Sequence, residues 1–402
     1  MTVTGHGDET PAARRIVVAG MGDSGVLTAM HLAGRSSVVG LSLRPALVSG
    51  QEVGLRIAYP ERWARDYRVE FGRMRRLDPV DIRHGQILDL DHDRRTLRLR
   101  TPTGVVEEVT YDALVIATGV ANGFWRQPVL EDSDDVDAAL HNVHARLAHA
   151  KSIAVVGGGA AACSSAAQLR RRWPEKPVAL YHPGELPLPR HHARTRRKVA
   201  RQLESLGVDR RGGHRAVLPP DAELDAIGAG TIHWSTGQPA VDADAIIWAV
   251  GQVSPNTTWL PSDMLTDRGF VRVDDDLGVP GYRGVFAVGD VADTDPLRGS
   301  ARNRADRLVA RNVLAYLDGR DTRRYHPAEH RWGSVFGPGD NGLDVFSPNG
   351  IRFRFPRWTI DTLLQPVIVR RGIYGGVRRS GGVRRRDSVR RGGVSAQRRG
   401  RE

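Results

Sequence analysis

Read as a succession of apolar and polar positions, the chain uses one short unit twice. Ile16 to Ala19 is an unbroken, β-branched-rich apolar run, the pattern of a strand, and after Asp23 the apolar residues recur at helical spacing. Gly20-Met21-Gly22-Asp23-Ser24-Gly25 lies between them. The same order of strand, tight turn and helix returns from Ile153 to Leu169, with Gly157, Gly159 and Ala162 in the three small-residue places. Between the two units, the stretch from Val80 alternates apolar and polar residues in short runs broken at His92-Asp93 and Pro102-Thr103-Gly104. It predicts an antiparallel meander feeding a buried strand, Ala113 to Ala117. Farther on the pattern predicts a helix over Ala301–Leu317. Ile351, Phe353 and Phe355 alternate with Arg352 and Arg354 as in a half-buried strand. Ile360, Leu363, Leu364, Val367 and Ile368 form a helical stripe, kinked by Pro366, that is expected to face the protein's own body.

The glycine spacing gives the repeated unit its chemistry. Gly20 permits the turn, Gly22 lets backbone approach a pyrophosphate and Gly25 lets helix and strand pack closely, with phosphate held at the helix N-terminus. Two such units imply two nucleotides. After the first, the strand Ser37 to Leu43 ends near Ser42 and Arg44, where an acid usually meets the ribose hydroxyls; none is there, and Glu52 is the nearest. After the second, the strand Pro177 to Tyr181 ends at Tyr181-His182, again without an acid. Arg190, Arg194, Arg196 and Arg197 follow, either a basic site for the extra phosphate of NADPH or a solvated helix face.

Composition alters this picture in three ways. At 402 residues with 40% hydrophobic content, the chain is expected to build two to three domains with real cores. The net charge of +13 suggests nucleic acid until it is mapped: Arg370 to Glu402 holds twelve arginines against Asp387 and Glu402, leaving +3 for the rest. Cys163, the only cysteine, excludes a disulfide framework and any dithiol, and is expected to be buried and inert. No apolar run approaches the ~20 residues of a membrane span, and the first fourteen residues lack a signal peptide's apolar region. The expected location is cytoplasmic, with peripheral attachment to the inner face of the membrane as the alternative.

Tyr111 to Gly119, YDALVIATG, lies between the two glycine turns, and Gly284 to Asp293, GVFAVGDVAD, follows the second. In this order the four motifs resemble the FAD-dependent pyridine nucleotide:disulfide oxidoreductases, two-dinucleotide flavoproteins, over about Arg15 to Leu317. The likeness is strongest to the branch of type II NADH dehydrogenases and apoptosis-inducing-factor-like reductases. It implies an α/β fold of two Rossmann-like domains, the second inserted into the first. The expected order is a disordered lead (1–13), a flavin domain (14–124 and 255–330) enclosing a nicotinamide domain (125–254), a C-terminal segment (331–375) and a disordered arginine-rich tail (376–402). The implied cofactors are FAD, held by Gly20, Gly22, Gly25, Thr118, Gly119, Gly289 and Asp290, and NADH or NADPH, held by Gly157, Gly159, Ala162 and Gly251. In the family's last flavin motif a strand delivers an aspartate, here Asp290, to the ribityl chain.

The implied activity is hydride transfer from nicotinamide to flavin and then electron transfer to a quinone or similar small acceptor, with no catalytic side chain and no metal. Lacking a dithiol, the chain is not a lipoamide, glutathione or thioredoxin reductase. It departs from the type II branch at Ser164, where that branch has a glutamate, and at Arg304-Ala305, where it has a glutamine pair. An acidic iron–sulfur protein is the alternative acceptor, steered by the basic residues. Residues 357–371 are a candidate contact with an anionic membrane. A third reading makes the flavoprotein body a nucleotide sensor whose tail binds membrane or nucleic acid. With Tyr374 as its one aromatic, the tail has little with which to stack on bases, so nucleic acid is not favoured.

Overall fold

The computed structural model describes residues 14–48, 53–121, 129–219, 223–251, 253–294, 305–327 and 332–378. The expected lead, most of the arginine-rich tail, Glu52 and Arg304 lie outside the described residues.

Two parallel sheets organise the chain, one for each glycine turn. In the first the order across the sheet is Asp81–His84, Ser37–Ser42, Arg15–Ala19, Ala113–Ile116 and Val285–Ala287, all parallel. Its central strand explains the unbroken apolar run: Ile16 and Val18 enter the core beneath the helices Asp23–Leu32 and Ala305–Leu317. Val17 and Ala19 enter a second core on the opposite face. The second sheet runs Asp209–Arg211, Val178–Tyr181, Ile153–Val156 and Val241–Trp248 in parallel, closed by the antiparallel edge strand Gly228–Ile232. The last strand of the first sheet comes after all of the second in sequence, so the second domain is nested inside the first.

The crossing points are short. Val120 and Ala121 pair antiparallel with Pro255 and Ser254, which places the outgoing and returning chains side by side. From the outgoing chain, the helix Ser133–His149 starts at a capping box in which Asp132 accepts from the Asp134 and Asp135 amides. The meander is three-stranded, Gln86–Asp91, Thr96–Arg100 and Val106–Thr110; the first residues of the alternating run, Asp81–His84, instead complete the first parallel sheet.

The C-terminal segment departs from its sequence pattern twice. In the hairpin Leu343–Phe346 and Arg352–Phe355, the apolar residues of the second strand face outward: Phe353 and Phe355 are exposed, as is Ile351 just before it. The inner side is held by Asp344, which accepts from Arg354 at 2.9 Å and from Gln202 at 2.8 Å and lies 3.6 Å from Arg352. The expected helical stripe also shifts face. Ile360–Ile373 winds with i→i+5 hydrogen bonds, so the inward row is Ile360, Leu364, Val369 and Ile373, while Leu363 and Val367 point to solvent. Past it, the expected tail boundary at 376 moves outward. Met74 bridges Val377, and Arg378 forms a bidentate pair with Asp78, fastening the chain to the first domain. No helix among the described residues is long and apolar enough to cross a membrane.

Candidate active site

The two turns are built alike, and their tolerances show where ligands fit. Gly20, at φ +99°, packs so closely on the strand Ala113–Ile116 that a Cβ there would lie 2.5 Å from the Ala117 carbonyl oxygen. Gly157, at φ +144°, meets the Ala249 carbonyl oxygen in the same way at 2.0 Å. The middle glycines differ from these: a Cβ at Gly22 or Gly159 meets nothing within 4 Å. Backbone there is exposed at the start of the helices Asp23–Leu32 and Ala160–Arg172, the arrangement that a pyrophosphate requires. At the third place a Cβ on Gly25 would fall 1.8 Å from the Gly20 carbonyl oxygen, whereas Ala162 is accommodated and fully buried.

The remaining motif residues gather at the same edges. Gly119 (φ +66°) and Gly251 (φ +76°) lie just beyond the strands Ala113–Ile116 and Val241–Trp248 that support the two turns, each with open space where a side chain would stand. Thr118 Oγ1 donates to the Asn256 carbonyl at 2.8 Å, and Asn256 Nδ2 returns a hydrogen bond to the Thr118 carbonyl at 2.9 Å. Gly289 (φ +82°) abuts the first turn, since a Cβ there would lie 2.6 Å from Ser24 Oγ; half-buried Asp290 is thereby brought beside the phosphate cradle. The segments that follow the carboxyl ends of the strands Ala113–Ile116 and Val241–Trp248 pair with each other, Val120-Ala121 with Pro255-Ser254. Elsewhere between the two domains, the helix Val53–Ala58 packs on the helix Ala160–Arg172, and Leu55, Ile57 and Trp63 share a core with Ala162, Cys163 and Ala166. Ser164, in the place where a glutamate was noted as absent, is buried with its Oγ unpaired, and its carbonyl oxygen would lie 2.3 Å from a Cβ on Gly54. Cys163 is fully buried and burial pushes its thiol up to about 12, so no thiolate is available at neutral pH.

At the nucleotide end of the second sheet, His182 lies under the turn, 3.3 Å from the position of a Cβ on Gly158, and is only 1% exposed. Beside it Tyr181 stacks on Trp234 at 4.7 Å, with His214 edge-on to both rings. Of the four arginines noted in the sequence, Arg196 is committed to shaping the loop, donating to the Leu186 and Pro187 carbonyls. Burial, with Arg210, His214 and Arg196 nearby, pushes the His182 imidazole down to about 4. The folded protein therefore keeps it neutral while the unfolded chain takes up a proton below about 6.5. Stability is expected to fall as pH drops through the window from about 6.5 to about 4, and His182→Gln to flatten that acid limb. Melting temperature followed against pH checks this; equal slopes for the two proteins would refute it.

Sequence reasoning missed two groups here. The Tyr181–Trp234–His214 cluster had no signal beyond isolated aromatic residues. The other is an acid brought to the end of the strand Ser37–Ser42: Glu131, from the connector between the domains, is 6% exposed and paired with Arg44.

The pyridine nucleotide-disulphide oxidoreductase family model matches residues 14–310. An oxidoreductase of Pestalotiopsis fici is 28% identical over 302 residues, 73% of this chain and 76% of that one. A FAD-dependent oxidoreductase of Flammulina velutipes is 26% identical over 245 residues, 60% of this chain and 74% of that one. Among solved structures, the sulfide:quinone oxidoreductase of Aquifex aeolicus superposes with a TM-score of 0.68 at 17% identity, over 92% of this chain and 93% of that one, a likeness of fold. With a glycine turn at the head of a helix in each sheet, the chain belongs to the pyridine nucleotide-disulphide oxidoreductase family, as a FAD- and NAD(P)H-dependent oxidoreductase with a single cysteine and so without the redox dithiol.

Proposed function

We propose that the protein oxidises NADH or NADPH and delivers the electrons, through FAD, to a quinone or similarly small acceptor. One observation carries the reading: the segments that follow the carboxyl ends of one strand in each sheet pair with each other, Val120-Ala121 with Pro255-Ser254, which supports two cradled dinucleotides extending toward one place. Gly20, Gly22, Gly25 and Asp290 fit FAD, and Gly157, Gly159 and Ala162 fit the nicotinamide nucleotide, because each middle glycine leaves bare backbone at a helix start. FAD, when bound, supplies the acceptor for the hydride and the donor to the second substrate. The chain's contribution is orientation. Its turns fix the two pyrophosphates, and the packed helices Val53–Ala58 and Ala160–Arg172 fix one domain against the other. Cys163, protonated and buried, offers no thiol relay, which favours direct reduction of the acceptor.

An apolar acceptor suits the C-terminal surface. Trp332, Phe353, Phe355 and Trp358 are exposed there, an apolar set suited to resting on a membrane surface. Anaerobic mixing with NADH or NADPH is expected to bleach the bound flavin, and a soluble quinone to restore it faster than a ferredoxin does. A flavin band that neither nucleotide bleaches would remove the proposal. Reoxidation by ferredoxin alone, suppressed by salt, would transfer it to an iron–sulfur partner.

A further inference from the structure

The C-terminal segment touches both of the helices that begin at the glycine cradles. At one end it belongs to the nicotinamide domain. Val335, Phe336 and Phe346 enter the core that Ala162, Ala166 and Leu169 build, and Gln168 of the helix Ala160–Arg172 donates to the Phe336 carbonyl at 2.7 Å. Gln202 holds the hairpin to the next helix, Ala193–Ser205, through Asp344. The chain then crosses to the flavin domain. Arg370 donates to the Arg65 carbonyl at 3.2 Å and lies 3.6 Å from Asp66, both on the helix Pro60–Tyr67. Past Ile373 it runs beside residues 73–76, with the Arg75 amide donating to the Gly376 carbonyl at 3.0 Å and the Arg378 amide to the Arg73 carbonyl at 2.8 Å. Between these fastenings the Tyr374 hydroxyl donates to Asp23 Oδ1 at 3.3 Å. Asp23 is the first residue of the helix Asp23–Leu32, next to Gly22, and Tyr374 packs against the core that Val26, Ala29 and Met30 of that helix enter.

We propose that Tyr374 is a positioning residue of the flavin site, reaching the phosphate cradle through Asp23 from a C-terminal strap that is anchored in the other domain. This rests on the flavin domain binding FAD. An acid in the first turn of a helix is drawn to the same positive end that holds a pyrophosphate, and its charge repels the ligand's. A hydroxyl donated to that acid takes up part of its charge and holds it toward the strap, so the pyrophosphate meets a weaker competitor. Because the strap's other end grips the helix Ala160–Arg172, the two cradles are tied together by a second route beside the packing of the helix Val53–Ala58 on that same helix.

The test is the rate at which diluted holoenzyme releases FAD, followed by the return of flavin fluorescence, with the melting temperature of flavin-free protein measured beside it. Tyr374→Phe is expected to release FAD about fivefold faster, a share of what a hydrogen bond to a charged group is worth, and to melt as the unaltered protein does once flavin is removed. In an Asp23→Asn background, where the acceptor carries no charge, adding Tyr374→Phe is expected to leave the release rate unchanged. An unaltered rate in Tyr374→Phe, or an equal acceleration in both backgrounds, would overturn the proposal and reduce the strap to packing. Should Asp23→Asn not retain flavin, faster release from Tyr374→Phe at an unchanged flavin-free melting temperature still decides for the proposal, and a lowered one against it. Unaltered protein that carries no FAD would instead overturn the flavin reading on which it rests.

Discussion

Gly25→Ala is expected to yield a protein purified without flavin. The added methyl would sit 1.8 Å from the Gly20 carbonyl oxygen and 3.4 Å from the Ala117 Cβ, and neither the turn nor the strand behind it is a flexible side-chain end that swings away. The helix Asp23–Leu32 must retreat from the sheet, taking with it the bare backbone at Gly22 that fits the pyrophosphate. Overpacking of this kind costs about 3 kcal/mol, or roughly 6–12 °C in the melting midpoint of a domain this size. The second turn provides the control. Its equivalent residue is already alanine, fully buried, so Ala162→Gly removes a tolerated methyl and costs about 1 kcal/mol of helix propensity. Absorbance of flavin released on denaturation, per mole of protein, is the measurement. A Gly25→Ala protein that retains stoichiometric FAD would show that the close approach is not what shapes the cradle.

The contrast between those two residues also marks what a sequence reveals. Gly20, Gly22 and Gly157 are legible because their requirement is backbone geometry, which few other residues satisfy, and because strand, turn and helix follow one another locally. The nested order of the two sheets was likewise visible, since the YDALVIATG and GVFAVGDVAD stretches flank the second unit in a fixed order. What stayed hidden depends on partners distant in sequence. Glu131 reaches the end of the strand Ser37–Ser42 only through the fold, and nothing local to Glu131 announces it. The alternation Ile351, Phe353, Phe355 predicted those residues inward; Asp344 reversed the hairpin by pairing with the intervening arginines. The stripe from Ile360 failed for another reason. It assumed α-helical spacing, and a wider winding turned Leu363 and Val367 outward.

The relation between the domains is the other point at which one methyl is expected to have a large effect. Gly54 lies in the flavin domain, yet its missing side chain is the space occupied by the other domain's helix: a Cβ there would lie 2.3 Å from the Ser164 carbonyl oxygen and 2.6 Å from Ser164 Oγ. Gly54→Ala must push the helices Val53–Ala58 and Ala160–Arg172 apart, across a core that Leu55, Ile57, Ala166 and Leu169 fill completely. The flavin cradle itself is untouched, because Gly20, Gly25 and Ala117 make their contacts elsewhere. The variant is therefore expected to keep its FAD while the rate of flavin reduction by NAD(P)H falls about 100-fold, the usual consequence of a displacement near 1 Å between reacting groups. Ser164→Gly added to Gly54→Ala should not restore the rate, since the nearer clash is with backbone and survives loss of the hydroxyl. Stopped-flow reduction under anaerobic conditions separates the cases. An unchanged rate at full flavin content would mean that this helix contact does not set the distance between the two nucleotides.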